Sequence, residues 1–464
     1  MKNLVLITID CLRFDAVSKE YTPFIWNLRK KGLLFTRAYS LGSWTTSSLT
    51  GLLTSTYPLM YNGDLGIKYP RVSIVEVLKT AGYLTLGFTF HPYLDKVYGF
   101  GKGFDVYYDS VDDIRSAIHQ KTKNSRGRKL STKLISGLAR TIGKVPGINT
   151  VAREIYYYKQ FRSLYKNLLN NNVSFRLEGD KINEIAKQEI ANVNIDRPLF
   201  LWIHYLDTHF PYLPKTQNIT REKIASLNVD RDKWHKLGKK PNLRSLEDLK
   251  MIYLLAASDV DRYVEDIIEY FKTLGIYRDT IFIITADHGE EFYEHGGFHH
   301  EIKLYEELIH VPLFIFGAGL RSKEINNVVS HLDVFPTVLD IMGIKRPKEW
   351  IGENMLIKKR KFVFSEEGQK YPGEAFKGNR IKLNIKSARV AVIGREWKYI
   401  RGDNMEELYN LISDPRENTN MANNRNVELI LNKLRSEYKS HLNFVLSYIP
   451  EKFLIARTLE GFGI

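Results

Sequence analysis

Short apolar runs that end at an acid or a histidine constrain the fold of this chain more than any other feature. LVLITI runs into Asp10, PLFLWI into His204 and TIFIITA into Asp287. The segments between these runs carry apolar residues at helical spacing, so the pattern predicts the alternating strands and helices of a parallel-sheet α/β fold. In such folds, ligands bind just beyond the carboxyl ends of the strands. The residues at these ends are candidates for one shared site: Asp10, His204, Asp207, Asp287 and His288.

The length of 464 residues exceeds what one hydrophobic core usually organises, so we expect a second, smaller unit. Strand-like pieces such as KFVFSEE and ARVAVIG follow residue 345, and a helical pattern runs from about Asn424 to Leu446. We predict a main α/β domain over residues 1–345, interrupted by a helical insertion at about 110–180. A smaller α+β subdomain is predicted over residues 346–464.

The positive charge of the chain is concentrated in one segment. Residues 121–170 hold twelve Lys or Arg and a single acid, Glu154, so they carry +11 of the net +15. The rest is nearly neutral, which argues against a nucleic-acid-binding body, and we expect no nucleic-acid partner. Two interpretations of the segment stay open: a solvated helical insertion, or a basic surface that contacts an anionic membrane or a polyanionic substrate.

Cys11 is the only cysteine, which excludes a disulfide within the chain and a site built from several cysteines. We therefore expect any metal to be held by Asp, Glu, His or hydroxyl ligands. The sequence contains no uninterrupted apolar run of about 18 residues, and LVLITI is too short for a signal peptide. We expect a cytoplasmic protein, with peripheral membrane contact through the basic segment as the alternative.

Carboxylates and an imidazole at strand ends form a hard pocket of oxygen and nitrogen donors, which suits a divalent cation. Asp10 ends the first apolar run, and Asp287 and His288 end a later one, just before the histidine-rich stretch EHGGFHHE. This combination predicts a site for one divalent ion, Ca²⁺, Mg²⁺, Mn²⁺ or Zn²⁺, with Asp10, Asp287 and His288 as ligands.

A hydroxyl-rich segment, GSWTTSSLTGLLTSTYP, precedes an apolar helical stripe. Most of its hydroxyls are explained as helix caps. A free threonine is a poor nucleophile, but a bound cation favours the deprotonated oxygen, and a helix N-terminus favours an anion beside it. One hydroxyl of this segment is therefore a candidate nucleophile.

Several ordered segments together resemble the sulfatase family of the alkaline phosphatase superfamily. NLVLITIDCLRFD is similar to its opening strand, SWTTSSLTGLLTSTYP to its nucleophile helix, and FLWIHYLDTHFPY, ITADHGEEFYEHG and HLDVFPTVLDIMGI follow in the family's order. REWKYIRGDNMEELYNLISDPRENTNMA is similar to its carboxyl-terminal subdomain. The resemblance implies an alkaline-phosphatase-like, mostly parallel sheet flanked by helices, with residues 1–345 as the catalytic domain.

The resemblance also implies roles for individual residues. Thr45 occupies the nucleophile position, and Asp10, Asp287 and His288 occupy metal-ligand positions. His209 and His300 match histidines that contact substrate or assist the leaving group. His204 and Asp207 are further candidates for substrate contact. For His299, His310 and His331 we favour a structural role.

Two departures from the family pattern bear on the chemistry. The family has Cys or Ser, followed by x-Pro-Ser-Arg, and oxidises the first residue to formylglycine, whereas this chain has TTSSL at residues 45–49. Formylglycine cannot form from threonine. Cys11 replaces the second of the family's paired opening acids, and we interpret it as a small buried hydrophobe. A threonine ester is cleaved by attack at its central atom, as in the phosphotransfer relatives that carry a threonine nucleophile.

We therefore expect a metal-dependent hydrolase of sulfate or phosphate esters that acts through a covalent Thr45 intermediate. Its substrate would be a small-molecule, glycan or lipid ester. One alternative is a phosphoethanolamine- or phosphoglycerol-type transferase acting on a lipid or glycan, which the basic segment favours. The other is an inactive homologue that binds ester or metal, which the loss of the family's arginine at Leu49 favours. A two-metal site that adds Asp207 and His209 also stays open.

Overall fold

The computed structural model describes residues 1–109, 161–170, 177–193, 196–215, 218–300, 302–368, 381–402 and 405–448. The strands of its main sheet are β1 (Asn3–Ile9), β2 (Gly32–Tyr39), β4 (Leu84–Phe88), β5 (Val106–Tyr108), β6 (Leu199–Tyr205), β7 (Thr280–Ala286), β10 (His310–Gly317), β11 (Lys323–Ile325) and β12 (Val329–Ser330). A second sheet contains β13 (Val363–Glu367), β15 (Arg389–Ile393), β16 (Trp397–Gly402) and β17 (Met405–Asn410). Two short pairs join β3 (Asp64–Leu65) with β14 (Ile381–Lys382), and β8 (Glu291–Phe292) with β9 (Phe298–His299).

Along the chain, most of the helices come between these strands. They are α1 (Pro23–Leu28), α2 (Thr45–Thr54), α3 (Ile74–Thr80), α4 (Gly179–Asn192), α5 (Arg221–Leu237), α6 (Leu243–Thr273), α7 (Glu306–Ile309), α8 (Val334–Met342) and α9 (Glu428–Ser447). Residues 161–169 are also helical. Among the described helices, none combines the length and the hydropathy that crossing a bilayer requires.

β1 lies at the centre of the main sheet, between β6 and β7, and pairs in parallel with both. The sheet order is β11-β2-β10-β7-β1-β6-β4-β5, and β10 alone among these strands runs antiparallel to its neighbours β2 and β7. The α/β class and the mostly parallel sheet expected from the sequence are therefore confirmed. The carboxyl ends of the parallel strands β7, β1 and β6 meet at one edge of the sheet, and it is at this edge that open α/β sheets bind ligands.

Both faces of the main sheet are covered, which explains why its strands read as continuous apolar runs. Leu4 and Leu6 of β1 pack in the core on one face, together with α2, α3 and α8. Val5, Ile7 and Ile9 pack on the other face, against α4 and the long helix α6. This alternation is the two-residue period of a strand.

Helix α2 is buried along its whole length. It packs between the main sheet and the second, antiparallel sheet, whose first strand reaches the loop before the helix: Glu366 N donates to Leu41 O at 2.8 Å. Helix α9 covers the second sheet, with Leu431 and Leu434 packing on Tyr399. The C-terminal residues therefore support the start of α2 directly, which matters for the site below.

The predicted basic insertion at about 110–180 lies mostly outside the described residues. Of the segment 121–170, the structure describes residues 161–170, where Phe161 and Leu168 pack on Ala225 and Val229 of α5. The proposed membrane contact of this segment therefore stays a prediction, as does the domain boundary at residue 345.

Candidate active site

Two carboxylates meet at the carboxyl ends of β1 and β7. Ile9 pairs with Ala286 in the sheet, so Asp10 and Asp287, the next residue on each strand, are neighbours. Both side chains are fully buried. Asp287 Oδ1 accepts hydrogen bonds from Cys11 N at 3.1 Å and His288 N at 2.8 Å. The other oxygen of each acid, Oδ2, has no hydrogen-bond partner although it is buried.

His288 faces both acids and the start of α2. Its Nε2 lies 3.4 Å from Asp287 Oδ2, 3.9 Å from Asp10 Oδ1 and 3.2 Å from the Thr45 hydroxyl. Its Nδ1 lies 2.8 Å from Gly289 O and donates to that carbonyl, which leaves Nε2 as the basic nitrogen. The hydroxyl of Thr45, the first residue of α2, is thus held among the groups that the sequence assigned to a metal site.

The ionisation of the two acids differs because of their surroundings. Burial acts to raise the pKa of Asp10, but the imidazoles of His209, His204 and His91 hold it well below its usual range. Burial and the charge of Asp10 raise the pKa of Asp287. Two buried carboxylates side by side therefore repel each other, and the nearby imidazoles compensate only partly.

These residues fit a divalent cation. The donors are carboxylate oxygens, an imidazole nitrogen and a hydroxyl, which is the hard donor set that Mg²⁺, Ca²⁺ and Mn²⁺ accept and that Zn²⁺ tolerates. The buried Oδ2 atoms of Asp10 and Asp287 lack hydrogen-bond partners, and a cation would satisfy both at once. Asp10, Asp287 and His204 also each offer an atom within 4.8 Å of the others.

His204 lies beneath the acids, within β6. Its side chain is fully buried, with Nδ1 2.8 Å from the Thr8 hydroxyl and Nε2 3.4 Å from Asp10 Oδ2. It therefore contacts a candidate metal ligand. Asp207 Oδ2 accepts a hydrogen bond at 3.2 Å from Gly179 N, the first residue of α4. Substrate contact by either residue stays a prediction.

A second group of side chains adjoins the first through Cys11. Its Sγ lies 3.0 Å from Asp10 Oδ1 and 3.5 Å from His300 Nδ1. Cys11, His209 and His300 each offer a ligand atom within 4.8 Å of the others. Burial and the charge of Asp10 raise the pKa of the Cys11 thiol well above its usual value. The thiol is buried, as we inferred from the sequence, and it also contacts a carboxylate and an imidazole.

His300 lies between this group and His288. The two imidazole rings are 4.3 Å apart between centroids, and the ring of His209 is 5.3 Å from that of His300. Burial and the neighbouring His288 lower the pKa of His300 to about 4, so its imidazole is neutral near pH 7. His209 Nδ1 lies 2.6 Å from Phe210 O and donates to it, which leaves its Nε2 as the basic nitrogen.

Glu290 is a fully buried acid next to His300 that sequence reasoning missed. Its Oε2 lies 3.7 Å from His300 Nδ1, and its Oε1 lies 3.5 Å from Nη2 of the buried Arg231. Neither oxygen has a hydrogen-bond partner. Burial acts to raise the pKa of Glu290, but His300 and Arg231 outweigh it and lower that pKa to about 2. Its place in DHGEE, three residues after Asp287, was the available signal.

His91, which sequence reasoning also missed, approaches the site from the loop after β4. Its Nδ1 accepts a hydrogen bond from Tyr93 N at 3.1 Å, and its Nε2 lies 3.6 Å from Asp10 Oδ2. The motif FTFH after β4 follows the same rule as the other strands, an apolar run that ends at an ionisable residue, and could have identified it.

The histidines for which we favoured a structural role, His299, His310 and His331, contact other protein groups, and that role stays a prediction. His299 bonds Arg231. His310 stacks on Phe14, and its Nε2 lies 2.9 Å from Thr36 O. His331 is fully buried, with Nε2 2.8 Å from the Thr285 hydroxyl.

Glu367, the last residue of β13, holds the start of the nucleophile helix. Its Oε2 accepts hydrogen bonds from Ser43 N at 3.1 Å and from the Ser47 hydroxyl at 2.9 Å. Thr45 lies between these two serines. The C-terminal sheet therefore fixes the segment that carries the candidate nucleophile.

Comparison with known proteins agrees with this geometry. A model of the sulfatase family matches residues 2–344, and a model of the C-terminal region of N-sulphoglucosamine sulphohydrolase matches residues 293–443. Arylsulfatase K of Bos taurus is 31% identical over 189 residues, which are 39% of this chain and 34% of that relative. The chain thus spans about a third of the length of the curated relatives it matches.

Two solved structures share the whole fold at low identity. The phosphonate monoester hydrolase of Agrobacterium radiobacter has a TM-score of 0.68 at 18% identity, over 96% of this chain and 95% of that one. A protein solved in complex with its substrate D-glucosamine-2-N,6-O-disulfate has a TM-score of 0.65 at 14% identity, over 95% of this chain and 98% of that one. At such identities, the likeness establishes the fold.

Proposed function

This chain belongs to the sulfatase family, and from that premise we propose that it is a cation-dependent hydrolase of sulfate or phosphate esters with Thr45 as its nucleophile. The match of the family model over residues 2–344 supports the ester-hydrolase class. One divalent cation, held by Asp10, Asp287 and His288, is part of the proposal.

One observation carries the proposal. The Thr45 hydroxyl lies 3.2 Å from His288 Nε2, and this nitrogen lies within 4 Å of carboxylate oxygens of both Asp10 and Asp287. Thr45 is not the cap of its helix, because Trp44 precedes it at the N-cap position, and its hydroxyl instead meets the imidazole that faces the two acids. Thr45 is also the first residue of a ten-residue helix, whose N-terminal N–H groups favour a tetrahedral anion.

In the first step, Thr45 Oγ1 gives up its proton to solvent and attacks the sulfur or phosphorus atom. The bond from that atom to the ester oxygen breaks, and the departing oxygen takes up a proton. A cation held by Asp10, Asp287 and His288 would lower the pKa of the threonine hydroxyl and neutralise charge on the transferred group. Those three side chains would hold the cation in place. Glu367 fixes the backbone on either side of Thr45 through its hydrogen bonds with Ser43 and Ser47. In the second step, water attacks the same central atom and releases Thr45.

The departing oxygen must gain a proton or lie beside a positive charge. The imidazole pair His209 and His300 adjoins Cys11 and His288. The pKa of about 4 at His300 means that His300 is not a proton donor in the resting protein near neutral pH. We assign the leaving-group function to the pair, in which His209 Nε2 would first take up a proton and then donate it to the departing oxygen.

Phosphate esters are the preferred substrates on chemical grounds. A formylglycine hydrate releases sulfate by collapsing to an aldehyde, and threonine has no such route. The ester formed on Thr45 is cleaved instead by a second attack at the central atom, which is ordinary phosphoryl-transfer chemistry.

Mass spectrometry of Thr45 after brief exposure to aryl phosphate and aryl sulfate esters tests the proposal. We expect a phosphoryl adduct on the peptide that contains Thr45, formed only when a divalent cation is present and absent from Thr45→Ala. A sulfuryl adduct would identify the substrate as a sulfate ester. Turnover with no adduct, and with Thr45→Ala fully active, would refute covalent catalysis.

The same reaction, run with and without glycerol or ethanolamine as acceptor, separates the hydrolase from the transferase. A hydrolase releases the group to water at a rate that the acceptor does not change. Acceptor-dependent product would favour the transferase, and stoichiometric cation binding with no turnover on any ester would favour the inactive homologue.

A further inference from the structure

We propose that one face of this protein, formed by the residues before β13 and by helix α9, docks on an anionic membrane surface. Apolar side chains of this docking face enter the lipid interface, and its lysines meet the head groups. The docking face consists of Leu356, Ile357 and Leu429 with Lys359, Lys361 and Lys433. It lies outside the basic segment 121–170. The inference goes beyond the proposed function, because it does not depend on which ester is cleaved or on the role of Thr45.

Leu356 and Ile357 form the exposed tip of a turn that hydrogen bonds hold in place. The Asn354 side chain accepts from Leu356 N at 2.9 Å, and the Asn354 carbonyl accepts from Ile357 N at 3.2 Å. Met355 points the other way: it is buried, and its N donates to the Thr337 hydroxyl at 2.9 Å. Ile357 nevertheless leaves 79% of its surface exposed. Since the turn already holds two neighbouring apolar side chains outward, binding through them requires little further ordering of the chain.

The positive charges that follow this turn are only partly neutralised. Lys358 and Arg360 are each paired with an acid, at 3.0 Å and 2.6 Å. Lys359 and Lys361, the exposed residues that alternate with them, have no carboxylate within ion-pair distance among the described residues. Four residues of chain span at most about 14 Å, so Lys361 lies within that distance of Ile357, measured between Cα atoms. Uncompensated charge therefore lies beside the apolar tip.

Helix α9 adds a third lysine and a further apolar side chain. The ammonium groups of Lys361 and Lys433 lie 5.7 Å and 5.9 Å from the centre of the Phe362 ring. The contact with Lys361 lowers the pKa of Lys433, and the charge of Glu437 opposes this to a smaller extent. Two like charges held side by side repel each other, and an anionic group between them would remove that repulsion. Leu429, one helical turn before Lys433, is 88% exposed.

The combination of apolar side chains and lysines favours a membrane over other anionic partners. A protein surface binds a bilayer interface by burying apolar side chains at the boundary of head groups and acyl chains, while neighbouring lysines attract anionic lipids. A nucleic acid or a polyanionic glycan would engage the lysines and leave Leu356 and Ile357 in water. A second copy of this chain, docked through the same face, would bring the lysines of both copies together, so repulsion disfavours it.

Cosedimentation of the full chain with vesicles tests the proposal. We expect the wild type to bind vesicles of phosphatidylcholine and phosphatidylserine in equal amounts, and to bind phosphatidylcholine vesicles roughly tenfold more weakly or less. High salt should weaken the binding, because it screens the lysines. Leu356→Ser combined with Ile357→Ser should weaken binding to the mixed vesicles roughly tenfold or more, and so should Lys361→Gln combined with Lys433→Gln.

A matched control comes from the start of α6. Leu243 is also 79% exposed, and the exposed lysines Lys239 and Lys240 precede it. Leu243→Ser, and separately Lys239→Gln combined with Lys240→Gln, change the same residue types outside the docking face, so both should bind the mixed vesicles as the wild type does. The unfolding midpoint of each variant, followed by circular dichroism, shows that it folds.

A fluorophore at position 357 reports entry into the lipid directly. Cys11, the only native cysteine, is buried, so Ile357→Cys can be labelled selectively with an environment-sensitive dye. Its emission should shift to shorter wavelength when mixed vesicles are added, and that of labelled Leu243→Cys should not.

Three results would overturn membrane docking. The first is a wild type that does not bind the mixed vesicles, or that binds them equally well in the two docking-face variants. The second is weaker binding in the lysine variant alone, with no shift of the dye, which would identify a surface for a soluble polyanion. The third is an equal loss of binding in the control variants. None of these measurements uses turnover, so a failure of the proposed function leaves them unaffected.

Discussion

Buried acids in two regions of this molecule differ in how completely their oxygens are hydrogen-bonded. Glu366, where the second sheet meets the nucleophile loop, is satisfied at both oxygens: Oε1 by His441 Nε2 at 2.6 Å and Oε2 by Leu59 N at 2.7 Å. At the carboxyl edge of the main sheet, Asp10 and Asp287 are equally buried, yet each leaves Oδ2 without a hydrogen-bond partner.

The difference separates structural acids from functional ones. Burying a charge costs free energy unless hydrogen bonds and an opposite charge compensate it, so a fold that gains nothing else would pair each acid as it pairs Glu366. The acids at the sheet edge are instead placed beside one another, which raises the pKa of Asp287. A bound cation would offset this repulsion, and the predictions below test that distinction.

The largest expected effect is on turnover. Thr45→Ala should lower kcat by about 10³-fold or more, because the nucleophile is removed, while the unfolding free energy changes little. The measurement is the initial rate of aryl phosphate hydrolysis with the cation saturating, together with urea denaturation.

Thr54→Val is the matched control for that experiment. Thr54 is the last residue of the same helix, and its hydroxyl donates to Thr50 O at 2.6 Å, far along the helix from the acids. This variant should lose some stability and keep its rate. Equal losses of rate in both variants would mean that α2 matters only as a structural element.

The comparison of Glu366 with Asp287 predicts opposite changes in the free energy of unfolding when each carboxylate becomes an amide. Glu366→Gln should lower the unfolding free energy by about 3 kcal/mol, because an amide cannot accept from both His441 and Leu59 N. Asp287→Asn should leave the chelator-treated protein as stable as the wild type or more stable, since removing one charge relieves repulsion from Asp10. Both variants replace a carboxylate by its amide, and both are measured by urea denaturation in excess chelator.

Adding a divalent cation should make the wild-type chain more stable than Asp287→Asn, the reverse of the order expected in chelator. The wild-type chain should gain stability with rising cation concentration, as any ligand that binds only the folded state provides, and Asp287→Asn should gain far less. A cation-independent wild type, or a large loss in Asp287→Asn under chelation, would show that the two groups of acids do not differ in kind.

Much of the fold could be predicted from the sequence because its signals are long and repeated. The run LVLITI forms β1, TIFIITA forms β7, and the expected final helix at about 424–446 is observed as Glu428–Ser447. The antiparallel direction of β10 could not be predicted, since a buried strand reads as the same apolar run in either direction.

The site could be predicted only where strand ends bring residues together. Asp10 and Asp287 lie adjacent because β1 and β7 pair in register, a consequence of the parallel sheet. Glu290 and Glu367 were missed because their positions depend on how a loop and a second sheet pack on the first. The motif DHGEE could have pointed to Glu290, but no local pattern in the sequence encodes the packing that places Glu367. The roles assigned to Thr45, His209 and His300 stay predictions that the experiments above test.

A third prediction concerns His331, a buried ionisable group in neither of the two regions compared above. Burial lowers the pKa of His331 to about 3, so the folded state holds it neutral while the unfolded chain, with a pKa near 6.5, binds a proton as the pH falls. Stability from this residue is therefore complete above about pH 6.5 and is lost progressively below it. Between pH 7.5 and 5 the loss is about 2 kcal/mol.

His331→Gln should remove that part of the pH dependence. Glutamine can still bond the Thr285 hydroxyl, which lies 2.8 Å from His331 Nε2. We expect the unfolding free energy of the variant to fall less steeply than that of the wild type between pH 7.5 and 5, measured by urea denaturation at each pH. Parallel curves would mean that His331 accepts a proton in the folded protein at little cost.

The smallest predicted effect concerns Glu367. This acid belongs to the second sheet, but it bonds the segment around Thr45 at the carboxyl edge of the main sheet. Its Oε2 bonds Ser43 N and the Ser47 hydroxyl on either side of Thr45. Glu367→Gln keeps the shape but weakens these charge-assisted bonds, so kcat should fall about fivefold, or about 1 kcal/mol, with KM unchanged.

The division between kcat and KM distinguishes positioning from mere stability. If Glu367 only held the two sheets together, the variant would unfold more easily and the fraction that stays folded would turn over at the wild-type rate. If Glu367 aligns the hydroxyl of Thr45, the folded variant itself is slower, and saturating substrate does not restore it. Rates measured well below the unfolding midpoint, and normalised to folded protein, decide between these outcomes. A slower folded variant would mean that a satisfied acid of the C-terminal sheet acts on the chemistry through the backbone around Thr45.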